Sequence, residues 1–142
     1  MRQSGFTLLE VMIAVLVLSI GLLGLAGLMA SSMRNSHSAY QRTQATWLAY
    51  DLIDRMRVNR DAAIAASNNY NTLMSATTSS STGLAGTDVN DWKTALANTL
   101  PAGDGSVTVV PLTRVVNVIV QWNDSRGTGG TSTQQLRVDS QL

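Results

Sequence analysis

For acid–base, nucleophilic or metal chemistry this 142-residue chain offers one histidine, His37, one lysine, Lys93, one glutamate, Glu10, eight aspartates and no cysteine. Without cysteine there is no disulfide framework, thiolate metal site or thiol nucleophile. Serines and threonines are plentiful, but the single histidine falls in a helical stretch close behind an apolar run, where a Ser-His-Asp arrangement has no geometry to form. Asp51 with Asp54, and Asp88 with Asp91, are carboxylate pairs that ion pairing and helix N-terminal capping explain more simply than a metal does. No glycine-rich phosphate loop leads from a strand into a helix. The inventory points away from an enzyme: no catalytic residue, metal, cofactor or small-molecule substrate is expected. Ten basic and nine acidic residues nearly cancel, so no broad field draws nucleic acid to the surface and it is not an expected partner.

Glu10 differs because of where it stands. From Phe6 to Ala30 the chain reads FTLLEVMIAVLVLSIGLLGLAGLMA, with Glu10 its only charge. As a helix this run extends roughly 37 Å, enough to span a bilayer. A secretory signal peptide could use the small residues Gly24-Leu25-Ala26, but the run is long for one and a carboxylate inside it is out of character. An ordinary anchor explains the length and leaves Glu10 unexplained. An ionisable group at the centre of a span costs about 2.5–3.5 kcal/mol, less near its edge, so its presence asks for a partner. Cutting between Gly5 and Phe6 would supply one: a new α-amino group, cationic at neutral pH, about one helical turn before Glu10. Amine and carboxylate could meet within one molecule, or between neighbours staggered along a fibre, where each neutralises the other and fixes axial register.

The stretch Gly5-Phe6-Thr7-Leu8-Leu9-Glu10, followed by an uninterrupted apolar helix, resembles the processing signal of type IV prepilins and pseudopilins. The resemblance implies that residues 1–5 are a leader with its basic residue in Arg2. It implies further that a prepilin peptidase at the inner membrane cuts after Gly5 and N-methylates Phe6, and that Glu10 guides assembly. It also implies a single-pass inner-membrane protein with a cytoplasmic N-terminus that passes through the periplasm into an extracellular pilus. Charge alone does not orient the chain, since Arg2 on one flank is matched by Arg34 and Arg42 on the other. Gly21, Gly24 and Gly27 lie three apart within the run. Each weakens a helix by roughly 0.8–1 kcal/mol relative to alanine, so they mark either local loosening or a small-residue face for close helix packing. Related chains often place a proline here; this one has none.

Behind residues 6–30, the membrane and assembly half, residues 31–142 suffice for one small domain. The helical pattern continues without glycine or proline to about residue 66. Ala45, Leu48, Ala49, Leu52 and Met56 recur at three- and four-residue intervals, a stripe to be buried against the rest of the domain. Asp51 with Arg55 and Asp54 with Arg57 stand at ion-pairing distances along a solvated face. Because Asp51, Asp54 and Asp61 balance Arg55, Arg57 and Arg60, the arginines are no nucleic-acid signal. Ser38–Ala45 and Leu48–Asn59 resemble the matching helix of the PilV group of minor pilins, the type IV pilus modification proteins. Members often carry a cysteine pair in the globular part, absent here.

The Ala-, Ser-, Thr- and Asn-rich segment that follows, loop 67–87, lacks apolar periodicity and reads as a disordered connector or, less simply, a receptor-binding loop. Thr87 or Asp88 could cap a short helix over 88–99 with Val89, Trp92 and Leu96 on one face and Pro101 beyond its end. Three alternating stretches within 106–142 carry Val107 and Val109; Val116, Val118, Val120 and Trp122; and Leu136, Val138 and Leu142. They predict an antiparallel meander over the helix stripe, with a turn across Asn123–Gly130. The expected fold is α+β: a long N-terminal helix packed on a small antiparallel sheet, the pilin fold.

By resemblance the expected function is that of a minor pilin helping to prime or cap a type IV pilus within a tip complex. Its partners would be other minor pilins, the major pilin, a tip adhesin, the prepilin peptidase during maturation and inner-membrane lipid before assembly. Alternatives are a tip subunit that adheres or binds DNA, and a minor pseudopilin of type II secretion.

Overall fold

The computed structural model describes residues 5, 7–67 and 69–142. Thr7 opens the first helix: its backbone is extended (φ −81°, ψ 149°) and its hydroxyl accepts from the Glu10 N–H at 3.3 Å. That satisfies one of the donors a helix start leaves open. Helix α1 then runs unbroken over Leu8–Val58, 51 residues, about 77 Å at 1.5 Å per residue. It ends short of the expected residue 66. Asn59 leaves the helical region (φ −105°, ψ 45°), and its side-chain amide donates to the Tyr70 hydroxyl at 3.0 Å, which ties the break to the segment that follows. One more turn, α2 (Arg60–Ala63), follows.

Helix α3 spans Gly83–Thr99, so it starts before the expected residue 88, and neither Thr87 nor Asp88 caps it. Glycine disfavours helix, yet Ala85 and Gly86 are buried, and a Cβ at Gly86 would run into the Ser81 carbonyl. Close packing outweighs propensity and draws the extra turn in. Val89, Trp92 and Leu96 form the buried face, and Leu100 returns to extended backbone just before Pro101.

Strands β1 (Asp104–Val110), β2 (Val115–Trp122) and β3 (Gln134–Gln141) form an antiparallel meander in the order β1-β2-β3. The sheet thus occupies 104–141, against the expected 106–142, and Leu142 lies just past it, donating its N–H to the Arg114 carbonyl at 2.9 Å. Val107 faces Val118, and Val118 faces Val138. This register puts Val107, Val109, Val116, Val118, Val120 and Trp122 on the buried face, with Leu136 and Val138 partly buried beside them. Such alternation is what a sheet covered on one face requires. Ala45, Ala49, Leu52 and Met56 are fully buried in the same core, Leu48 partly so. Ile53 and Gln41 are buried with them, so the stripe is wider than its three- and four-residue spacing indicated. Trp92 joins three elements: its indole N–H donates to the Leu48 carbonyl at 2.9 Å, and its ring lies where a Cβ on Gly105 would be.

The polar segment expected to be a connector is tied down. Thr72 and Val107 exchange backbone hydrogen bonds at 3.1 and 3.0 Å, and the Asn71 side chain accepts from the Val109 N–H at 2.8 Å. Ser75 and Ser79 donate their N–H groups to Asp104 and Asn90 at 2.5 and 2.6 Å. The segment therefore lines the outer side of β1. Lys93, nearly buried, holds the same corner, donating to the Leu73 carbonyl at 2.9 Å and to Asp104 at 2.6 Å. Partial burial alone would push the Asp104 carboxyl up, but the Lys93 ammonium with the Ser75 and Gly105 amides outweighs it and holds the carboxyl below its ordinary value.

Asp88, expected as a cap, instead accepts from the buried Tyr70 hydroxyl at 2.6 Å and lies 3.7 Å from Arg55. Burial, then the Asp88 carboxylate, push the Tyr70 phenol from 10.0 up to about 12. A raised folded-state pKa means that this contribution to stability is complete below pH 10.0 and is lost as pH rises to about 12. Thermal midpoints followed across that window should fall in the native chain and fall less in Tyr70→Phe; parallel falls would exclude this origin.

Candidate functional site

Among the described residues, the first half of α1 stands clear of the buried core. Every residue from Leu8 to Ala30 is exposed, although most are Leu, Val, Ile, Met, Ala or Gly. This is a helix long and apolar enough to cross a membrane. Exposed apolar surface on this scale marks a site for lipid or protein contact. Ser19, one of its few polar residues, satisfies itself by donating to the Val15 carbonyl at 2.6 Å. Helix α1 stays regular through Gly21, Gly24 and Gly27, and a Cβ at any of the three would meet open space.

Glu10 sits in the first turn, exposed, where the partial positive charge of the helix N-terminus favours a carboxylate. Among the described residues it takes part in no ion pair. Gly5 is exposed, one residue beyond the described run. Phe6, expected as the cleaved and methylated residue, and leader residues 1–4 lie outside the described residues.

Beyond Ala30 the helix presents two opposite faces. One, from Gln41 through Ala45, Ala49, Leu52 and Met56, is the core stripe. The other carries Met33, Tyr40 and Trp47, which are 73%, 58% and 65% exposed. Sequence reasoning missed this second face. The signal was present: Met33, Tyr40 and Trp47 are seven residues apart, two turns of helix, and so stack on one side. They extend the apolar surface of residues 8–30 along the back of the domain. The Asp51–Arg55 and Asp54–Arg57 pairs, at 2.9 and 2.8 Å, form on exposed positions and contribute a few tenths of a kcal/mol each.

Residues 1–26 match the prokaryotic N-terminal methylation motif, and residues 27–96 match the family model described as type IV pilin Tt1218. The chain belongs with the type IV pilins. Searches of curated proteins and of solved structures returned no match. The second match runs down α1, through the tied-down segment and along most of α3; the pilin's sheet lies beyond both. A pilin's task is structural, and the apolar helix fits a membrane-anchored pilin that ends in the pilus. Among the described residues of this pilin no group of three or more His, Asp or Glu is placed to hold a metal.

Proposed function

We propose that this pilin is a minor pilin that helps to prime or cap a type IV pilus, in a tip complex with other minor pilins and the major pilin. The observation that carries the proposal is the exposed apolar half of α1 with Glu10 as its lone charge. In this scheme the prepilin peptidase cuts after Gly5, Phe6 is N-methylated, and its new amine meets the Glu10 carboxylate of a neighbour. The helix then exchanges lipid for the helices of other pilins, with Met33, Tyr40 and Trp47 offering a second strip of contact. The minor rather than major role is supported by the likeness of Ser38–Ala45 and Leu48–Asn59 to the PilV group. The adhesive or DNA-binding alternative drew on a free polar loop, and that segment is fastened to β1.

Deleting the protein should lower surface piliation and twitching, measured by sheared-pilus yield and colony spreading. Undiminished piliation in the deletion strain would count against a priming role. Mass spectrometry of the mature N-terminus should return methylated phenylalanine.

A further inference from the structure

We propose that the foot of the globular domain holds a site for an anionic phospholipid headgroup, built by Arg34, Arg126 and His37 and used while the subunit waits in the membrane. The proposal rests on reading the apolar half of α1 as a membrane span.

The loop between β2 and β3 folds back against α1. Its Asp124, 2% exposed, accepts from the Ser38 hydroxyl at 2.6 Å, and Asn123 donates its N–H to the Pro101 carbonyl at 2.8 Å. Gly127 and Gly130 let the loop close around Asp124; a Cβ at Gly130 would strike the Asp124 carbonyl. This closure sets Ser125, Arg126 and Gly127 opposite Met33, Arg34 and His37 across an open cavity of about 700 Å³. Among the described residues neither arginine forms an ion pair. The cavity's lining carries two guanidiniums and no carboxylate; Asp124 is buried within the loop with one oxygen taken by Ser38, so the cavity is basic.

Position decides what anion it meets. If the hydrocarbon ends near Ala30, Arg34 lies about 6 Å and His37 about 10 Å further along the helix axis. Headgroups add roughly 5–7 Å on each side of the hydrocarbon, so the Arg34 end of the cavity opens in the phosphate layer and His37 stands just beyond its outer edge. The floor adds a selection. Gln41, 5% exposed, has its Nε2 2.9 Å from His37 Nε2, and its Oε1 is buried without a partner. It lines a smaller adjoining cavity of about 160 Å³ shared with His37 and Arg126. An unpaired buried acceptor favours a ligand that brings a donor. A glycerol headgroup has hydroxyls to offer and a choline headgroup has none.

The test uses the full chain inserted in bilayers of phosphatidylcholine mixed with phosphatidylglycerol, with bound lipid read by native mass spectrometry. The native chain should retain phosphatidylglycerol over phosphatidylcholine, and the double variant Arg34→Gln/Arg126→Gln should lower that preference on the order of tenfold. Both arginines are exposed, so the variant should fold, and Arg42→Gln, away from the cavity, should leave the preference intact. No preference in the native chain, the same preference in the double variant, or an equal loss with Arg42→Gln overturns the site. Displacement of the retained lipid by matched inorganic phosphate reassigns it to a free anion and overturns the lipid. Extraction of the native chain from bilayers by alkaline carbonate overturns the membrane span itself, a failure distinct from the others.

Discussion

Replacing Glu10 by alanine is expected to leave leader cleavage largely intact and to remove the subunit from the fibre, with co-purification alongside other pilins falling by at least an order of magnitude. Two magnitudes separate these outcomes. In the isolated chain Glu10 is exposed and contributes only as an acid in the first helical turn, worth about 0.3–1 kcal/mol. Helix α1 and the domain should therefore persist. In the proposed fibre the α-amine of a neighbour would be buried in apolar surroundings against this carboxylate. Removing one member of such a pair costs about 3–5 kcal/mol, because the other charge is stranded, and each 1.36 kcal/mol is tenfold. Glu10→Gln should behave like alanine, since an amide keeps the shape and loses the charge. Pull-down with a tagged partner pilin, with the mature N-terminus read by mass spectrometry, separates assembly from processing. Normal co-purification of Glu10→Ala would end the register role.

Trp92→Ala is expected to be the most damaging single change in the globular part. Trp92 is 1% exposed, fills the space over Gly105 and donates to the Leu48 carbonyl. It therefore ties α3 to β1 and to α1 at once. Truncating a buried tryptophan leaves a cavity and costs about 3–5 kcal/mol, a large share of the 5–15 kcal/mol that holds a typical domain together. Trp92→Phe keeps most of the apolar volume and gives up the hydrogen bond, worth about 0.5–1.5 kcal/mol, so it should fall between. Chemical denaturation of the full chain in detergent, followed by tryptophan emission from Trp47 and Trp122, would rank the three. A native-like midpoint for Trp92→Ala would show that the α1–α3 contact is dispensable.

What could be read from the sequence was whatever repeats at short range. The core stripe from Ala45 to Met56 and the alternation of Val116, Val118, Val120 and Trp122 are periodic patterns, and both faces lie where their periods put them. What could not be read depends on partners distant in the chain. Asp88 looked like a cap because it stands just ahead of the face made by Val89, Trp92 and Leu96; its partner Tyr70 is 18 residues earlier, reached only once α3 docks. Asn59, where α1 ends, likewise bonds a residue 11 positions on. Residues 69–82 carry no apolar rhythm because they bind through backbone groups and short polar side chains, which composition does not distinguish from disorder. Arg126 joins Arg34 through a turn whose closure depends on Asp124 and Gly130, a relation with no local signature.

The rung between Thr72 and Val107 also bears on how this molecule can stick to copies of itself. A three-stranded sheet has two flanks with unpaired amides and carbonyls, each a template for another chain. Here the middle of one flank is already covered by the molecule's own segment, through the Thr72 backbone at Val107 and the Asn71 side chain at Val109. The other, β3, sets exposed Gln135, Arg137, Asp139 and Gln141 along its solvent side, polar groups that resist dry stacking. Lateral ribbon growth is thereby discouraged, and the largest stretch of sticky surface left over belongs to the helix.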